Sequence, residues 1–234
     1  MKTATVPCSW LIPFGVFALT IAGPAPTSAI TVQVSVPGQA DPWLAGMPDG
    51  STASCYLGVC SVAPAQSPTY VPNLCLVPWE FLTFQITGGT AQDPAYPLLP
   101  PDGGEPTTHH AGVDNGISAI VTPISSCLGV FLNDDQPDQT PAPPDLDFGT
   151  VESRNYLTLA PALKQLFFIG DGWTDAGQQQ RVQIPMGATR LYLGTMDSWQ
   201  WTNNIGKLDA SVTDPCEPTA IDRVGWGAVK ARYR

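Results

Sequence analysis

The chain has 234 residues, of which 20 are acidic and 10 basic, for a formal net charge of −10. That balance excludes the basic patches with which proteins hold nucleic acid or anionic membranes, and it suits an exported protein kept soluble by its charge. Only 13% of the residues are charged, while 25 prolines and 22 glycines punctuate the chain. Such a composition predicts an all-β protein of short strands joined by turns.

Residues 1–29 read as an export signal. Lys2 gives a positive start, an apolar run follows from Trp10 to Ala22, and small residues lead up to Ala29. The run is too short to span a bilayer as a helix, so the expectation is a secreted, extracytoplasmic bacterial protein with no membrane anchor in its mature part. One domain is expected over 30–213, followed by a solvated tail over 214–234 that carries Arg223, Lys230, Arg232 and Arg234. Cys8 leaves with the signal. Cys55, Cys60, Cys75, Cys127 and Cys216 remain, an odd number, so at least one is free or pairs between chains. Cys55 and Cys60 enclose only Tyr-Leu-Gly-Val and make the easiest bridge; pairings among the other three stay open.

Alternating apolar residues predict a first strand over 30–36. The stretch 37–78 is proline-rich and irregular, a loop long enough to be functional, pinned by a disulfide, or both. Leu82, Phe84 and Ile86 place one buried face on a strand over 81–87. A second long loop covers 88–116 and holds both histidines, His109 and His110. Residues 128–132 form a continuous apolar run, a strand buried on both faces, and 133–147 is an acidic, proline-rich loop. A helical turn is expected over 156–163 and another buried strand over 166–169, and Val182 and Ile184 mark one more. With no long helical period and no internal repeat, a β-sandwich or jelly roll follows.

The last third holds the densest chemistry. Leu191 and Leu193 mark one strand, and Leu208, Ala210 and Val212 mark another. Between them lie Asp197, Asn203, Asn204, two tryptophans (Trp199 and Trp201) and Gly206. Carboxylate, amide and main-chain oxygens crowded into so few residues are what a hard cation such as calcium takes. Asn-Asn-x-Gly is equally the chemistry of a hairpin turn, and both readings stand at this point. Trp199 and Trp201 alternate, so one can face outward as an apolar platform for a sugar ring while the other, Trp201, is buried. For Trp43 and Trp173 two roles stay open, a sugar platform or a core plug under the long loops.

Through Pro185-x-Gly-Ala-Thr-Arg-Leu-Tyr-Leu-Gly-Thr-Met-Asp197 and Asn203-Asn-x-Gly206 the sequence resembles the PA-I galactophilic lectin family, small bacterial β-sandwich lectins that hold galactose through a calcium ion. It also resembles exported bacterial proteins of unassigned role built on that lectin-like domain. With them it shares Pro42-Trp-Leu-Ala-Gly-Met-Pro48, Ala63-Pro-Ala-Gln-Ser-Pro68, Pro101-Asp-Gly-Gly104, Gly129-Val-Phe-Leu132 and Phe168-Ile-Gly-Asp-Gly172. Many of those end in a Pro-Glu-Pro sorting tail with a membrane span, which is not expected here.

The resemblance implies a galactose-binding, lectin-like β-sandwich with long Pro/Gly-rich loops. It implies Asp197, Asn203 and Asn204 as calcium ligands, joined by the main-chain carbonyls of Trp201 and Gln92. It further implies sugar contacts from His110, Asn203 and Asn204; Trp199 joins them as the outward-facing indole. The step from Asp197 to Asn203 is one position shorter than in the lectins, so either other main-chain oxygens complete the cage or no cage forms. The implied cofactor is calcium, and the implied partner is a galactose-type glycan. The alternative is a structural or interaction module of the cell exterior in which calcium only stabilises the loop.

Catalysis is not expected. Asp171, Asp175 and Glu152 could in principle pair as the acid and base of a glycosidase, but isolated acidic residues in turns are usually solvated. No nucleophile elbow occurs, and adjacent histidines on a strand point to opposite faces.

Overall fold

The computed structural model describes residues 29–110 and 113–215, and of His109 and His110 it describes the backbone alone. Fourteen strands are described. The N-terminal half contains β1 (Ile30–Pro37), β2 (Thr52–Tyr56), β3 (Val59–Val62), β4 (Thr69–Tyr70), β5 (Phe81–Ala91), β6 (Gly104–His110) and β7 (Ile120–Ile124). Next come β8 (Cys127–Leu132), β9 (Leu146–Asp147), the single helical turn α1 (Val151–Arg154), β10 (Thr158–Leu159) and β11 (Leu166–Phe168). The described residues end with β12 (Arg181–Gln183), β13 (Arg190–Thr195) and β14 (Ile205–Asp214).

Two sheets face each other. The first has the order β1-β14-β5-β12-β10, and the second β11-β8-β13-β4. β14 is the centre of the first sheet: Val212 lies opposite Val32 on one side and Phe84 on the other, and Ala210 lies between Val34 and Ile86. Strand side chains alternate between faces, so these registers put Phe84, Ile86, Leu208, Ala210 and Val212 on one inner face, where all are buried. In the second sheet β8 pairs with β13 and β11, and Cys127 to Leu132 are all buried. The continuous apolar run is therefore a strand covered on both sides, as expected.

Phe167 of β11 joins the layers, stacked on Phe131 at 5.4 Å and tilted against Phe84 of the opposite sheet at 6.5 Å. Gly129 makes room for it, because a Cβ there would lie 2.4 Å from the Phe167 ring. The inner faces of the two sheets thus form one core, which makes the chain an all-β sandwich. Two smaller pieces flank it: the hairpin β2-β3 and the sheet β6-β7-β9.

The structure departs from expectation in several places, and the stretch expected to be irregular over 37–78 contains β2, β3 and β4. The loop expected over 88–116 contains β6, whose residues carry no apolar alternation and become a strand through pairing with β7. The helical turn expected over 156–163 is absent; β10 runs there parallel to β12. The one α-helical turn among the described residues is α1, nucleated by a capping box between Thr150 and Ser153; 3-10 turns occur at Pro42–Leu44, Pro137–Gln139 and Trp201–Asn203. β14 runs to Asp214, which is buried and accepts hydrogen bonds from the Cys75 and Leu76 amides.

The Cys55–Cys60 disulfide forms across the β2-β3 turn, as expected. Cys75 is disulfide-bonded too, and Cys127, buried in β8, is free. The expected signal and most of the tail lie outside the described residues. Among those described, no helix is long and apolar enough to cross a membrane.

Candidate functional site

β13 belongs to the second sheet and β14 to the first, so the residues between them cross from one layer to the other. This excludes the hairpin reading of Asn-Asn-x-Gly. The crossover is anchored at its buried end. Trp201 is fully buried, donates its indole N–H to the Thr195 carbonyl at 2.9 Å and packs edge-on against Trp43 at 5.5 Å. Trp43 in turn donates to the Ser118 carbonyl. The turn after β1 holds the same loop: Thr195 Oγ1 and Asn204 Nδ2 both donate to the Gly38 carbonyl, and Gln39 donates to the Thr202 carbonyl. Gly206 ends the crossover at φ +82°, where a Cβ would lie 2.3 Å from the Gly89 carbonyl oxygen. Only glycine lets β14 start that close to β5.

At the open end of the loop is a cavity of about 360 Å³, lined by Gln92, Asp93, Tyr96, Pro106, Ile124, Asp197, Ser198, Trp199, Gln200 and Asn203. Asp197 is 6% exposed. Burial pushes its carboxyl up to about 6, against the opposing pull of the Ser198 and Trp199 amides and of the Asn204 side chain. Asn203 Nδ2 donates to Asp93 Oδ2 at 3.1 Å, and Asn204 Nδ2 is used on Gly38. Both amide oxygens, Asn203 Oδ1 and Asn204 Oδ1, are buried and have no hydrogen-bond partner. A buried acceptor left unmade costs about 1–3 kcal/mol. Two of them beside a buried carboxylate make an oxygen-rich setting that a hard cation would satisfy.

Of the expected ligands, Asp197, Asn203 and Gln92 line the same cavity, and Asn204 adjoins them in the chain with its Oδ1 buried. The Trp201 carbonyl accepts the Asn204 amide at 3.1 Å and keeps a second lone pair. Trp199 is 49% exposed and also lines the cavity, whereas Trp201 is buried as expected. His110 ends β6, opposite Ile120 in the β7 register, and its side chain is not among those described. β6 does reach the loop, because Thr108 Oγ1 shares a hydrogen bond with Ser198 Oγ.

Two residues were missed. Asp93 holds Asn203 across 110 positions of sequence, and Tyr96, 55% exposed, is a second aromatic wall. Asp93-Pro-Ala has the form of an Asx turn, and Asp93 Oδ1 does accept the Ala95 amide; nothing local connects it to Asn203. Among the described residues, no group of three or more His, Cys, Asp or Glu is placed to hold a metal. A cation here would depend on amide and main-chain oxygens as much as on carboxylates.

The carboxylates considered for catalysis serve turns. Asp171 Oδ1 accepts the Trp173 amide, and the Asp171 amide donates to Asp102 Oδ1. Asp175 exchanges hydrogen bonds with Asn155, and Glu152 lies in the first turn of α1. Of the two tryptophans left open as core plugs, Trp43 is one and Trp173, 39% exposed, is not.

Comparison with protein-family models, with curated proteins and with solved structures finds no match.

Proposed function

We propose that this protein is an exported, non-catalytic lectin-like β-sandwich of jelly-roll type, related to the PA-I galactophilic lectins, which binds a galactose-type glycan through calcium. The reading is supported by one observation above the others: the buried, partnerless oxygens of Asn203 and Asn204 beside the buried carboxyl of Asp197. Asp197 and the two amides would supply the first ligands. The carbonyls of Gln92 and Trp201 complete the set, and Asp93 orients Asn203 from outside it. Calcium accepts two neighbouring sugar hydroxyls in place of water, and amide groups beside it exchange hydrogen bonds with the same hydroxyls. Trp199 offers its exposed indole to the C–H face of the ring.

The test is glycan-array binding, followed by titration with methyl galactoside, each with and without a calcium chelator. Binding that chelator abolishes is the expected result. Trp199→Ala should weaken the sugar and leave thermal stability almost unchanged. A calcium-dependent rise in melting temperature with no glycan bound would replace this function with a loop-stabilising one. No response to calcium or to any glycan would refute both.

A further inference from the structure

The hairpin β2-β3 makes no hydrogen-bonded ladder with either main sheet, yet it carries a contact that reaches the candidate site. Tyr56 stacks on Trp199 with ring centroids 4.8 Å apart and planes 18° from parallel, across 143 positions of sequence. Both rings remain partly in water, Tyr56 41% and Trp199 49% exposed, so the pair is no part of the core. Tyr56 adjoins Cys55, and the Cys55–Cys60 bond ties the two strands beside it. The base of the hairpin is fixed independently. The Ser54 amide donates to Asp114 Oδ2 at 2.8 Å, and Asn115 Nδ2 donates to the Thr52 and Trp43 carbonyls.

An indole on a loop between sheets has two side-chain torsions to fix, and among the described residues the Trp199 ring has no hydrogen-bond partner. The ring of Tyr56 covers one of its faces. We propose that Tyr56, held by the disulfide-clipped hairpin, is a positioning residue for glycan binding: it backs the Trp199 indole so that Trp199 meets the sugar as a fixed wall of the cavity. This rests on the carbohydrate reading above. It goes further by making the hairpin a working part of the site, distinct from the cation ligands. Pre-ordering a contact group reduces what binding must spend on ordering it, so the effect falls on sugar affinity and not on calcium affinity.

The full chain is compared with Tyr56→Ala, Tyr56→Phe and the double variant Cys55→Ser/Cys60→Ser. Calorimetry measures calcium and then methyl galactoside in saturating calcium, and the 15N–1H indole signal of Trp199 is followed without ligand. Tyr56→Ala should weaken the galactoside by roughly 2- to 10-fold, the share of one aromatic pair. Calcium affinity should stay the same, and the Trp199 signal should shift and broaden. Tyr56→Phe keeps the stack and should match the parent in all three, and the cysteine double variant should fall between. Equal galactoside affinity and an unchanged Trp199 signal in Tyr56→Ala would overturn the proposal while leaving the carbohydrate reading intact. So would a Phe variant as weak as the Ala variant. A parent chain that binds calcium but no galactoside overturns the proposal together with the reading it rests on.

Discussion

Replacing Asp197 with Asn removes one charge and keeps the shape. Burial raises the folded carboxyl from 3.8 to about 6, so ionising it in the folded protein costs about 3 kcal/mol more than in the unfolded chain, at 1.36 kcal/mol per pKa unit. The raised value means that the contribution of this group to stability is full below about pH 4 and is lost as pH rises through about 6. In chelator at pH 8, Asp197→Asn should therefore be more stable than the parent by up to about 3 kcal/mol, or several degrees in melting temperature. Asparagine still accepts from the Ser198 amide that now bonds Asp197.

Calcium should reverse the order. A ligand at about 1,000 times its dissociation constant adds about 4.1 kcal/mol to the parent, enough to exceed that difference, and little to the variant, which has lost the charged ligand. At pH 5 the parent carboxyl is mostly protonated, so both the difference in chelator and the calcium response should shrink together. Urea unfolding at pH 5 and pH 8, with calcium and with chelator, measures all four values. Asp41 also titrates in this range, and subtracting the variant from the parent cancels it. The reasoning is refuted if Asn lowers stability in chelator at pH 8, or if calcium stabilises both proteins equally.

Asn204→Ala should abolish the calcium response and cost about 1–2 kcal/mol in chelator through the lost bond to Gly38, whereas Gln92→Ala should keep the response because only its main-chain carbonyl is needed. Calcium-dependent shifts in melting temperature separate the two. Asp41 is fully buried, and burial pushes its carboxyl up to about 7 against the hydroxyls of Ser61 and Ser54. Its contribution is thus lost as pH rises from about 4 through about 7, and Asp41→Asn should gain about 2–4 kcal/mol at pH 8 and nothing at pH 4 in urea titrations. Gly129→Ala drives a methyl group into the Phe167 ring that joins the two sheets and should lose about 1–3 kcal/mol by the same measurement.

Local periodicity made the principal strands legible. Leu82, Phe84 and Ile86, or Leu208, Ala210 and Val212, announce a buried face because a strand turns alternate side chains the same way whatever its partner. The loop residues of the site were legible for a similar reason: Asp197, Asn203 and Asn204 are close in the chain, so their oxygens could not be far apart. β6 was not legible, since Glu-Pro-Thr-Thr-His-His has no apolar rhythm and its strand comes from hydrogen bonds donated and accepted by β7. Nor was Trp173, whose large apolar ring suggests burial but which lies half out of the fold.

By itself, then, the sequence determined the class of fold, the Cys55–Cys60 bridge and the clustering of oxygen-bearing side chains at Asp197, Asn203 and Asn204, all set by composition and short-range spacing. Whether that cluster was a hairpin turn or a crossover was decided only by tertiary structure, because β13 and β14 find their partners in different sheets. The same holds for Asp93 and Tyr56, brought to Asn203 and Trp199 from 110 and 143 positions away. Spacing within a segment constrains which groups can meet nearby. Contacts at that separation depend on how the two layers close over Phe167, and no local pattern encodes that closure.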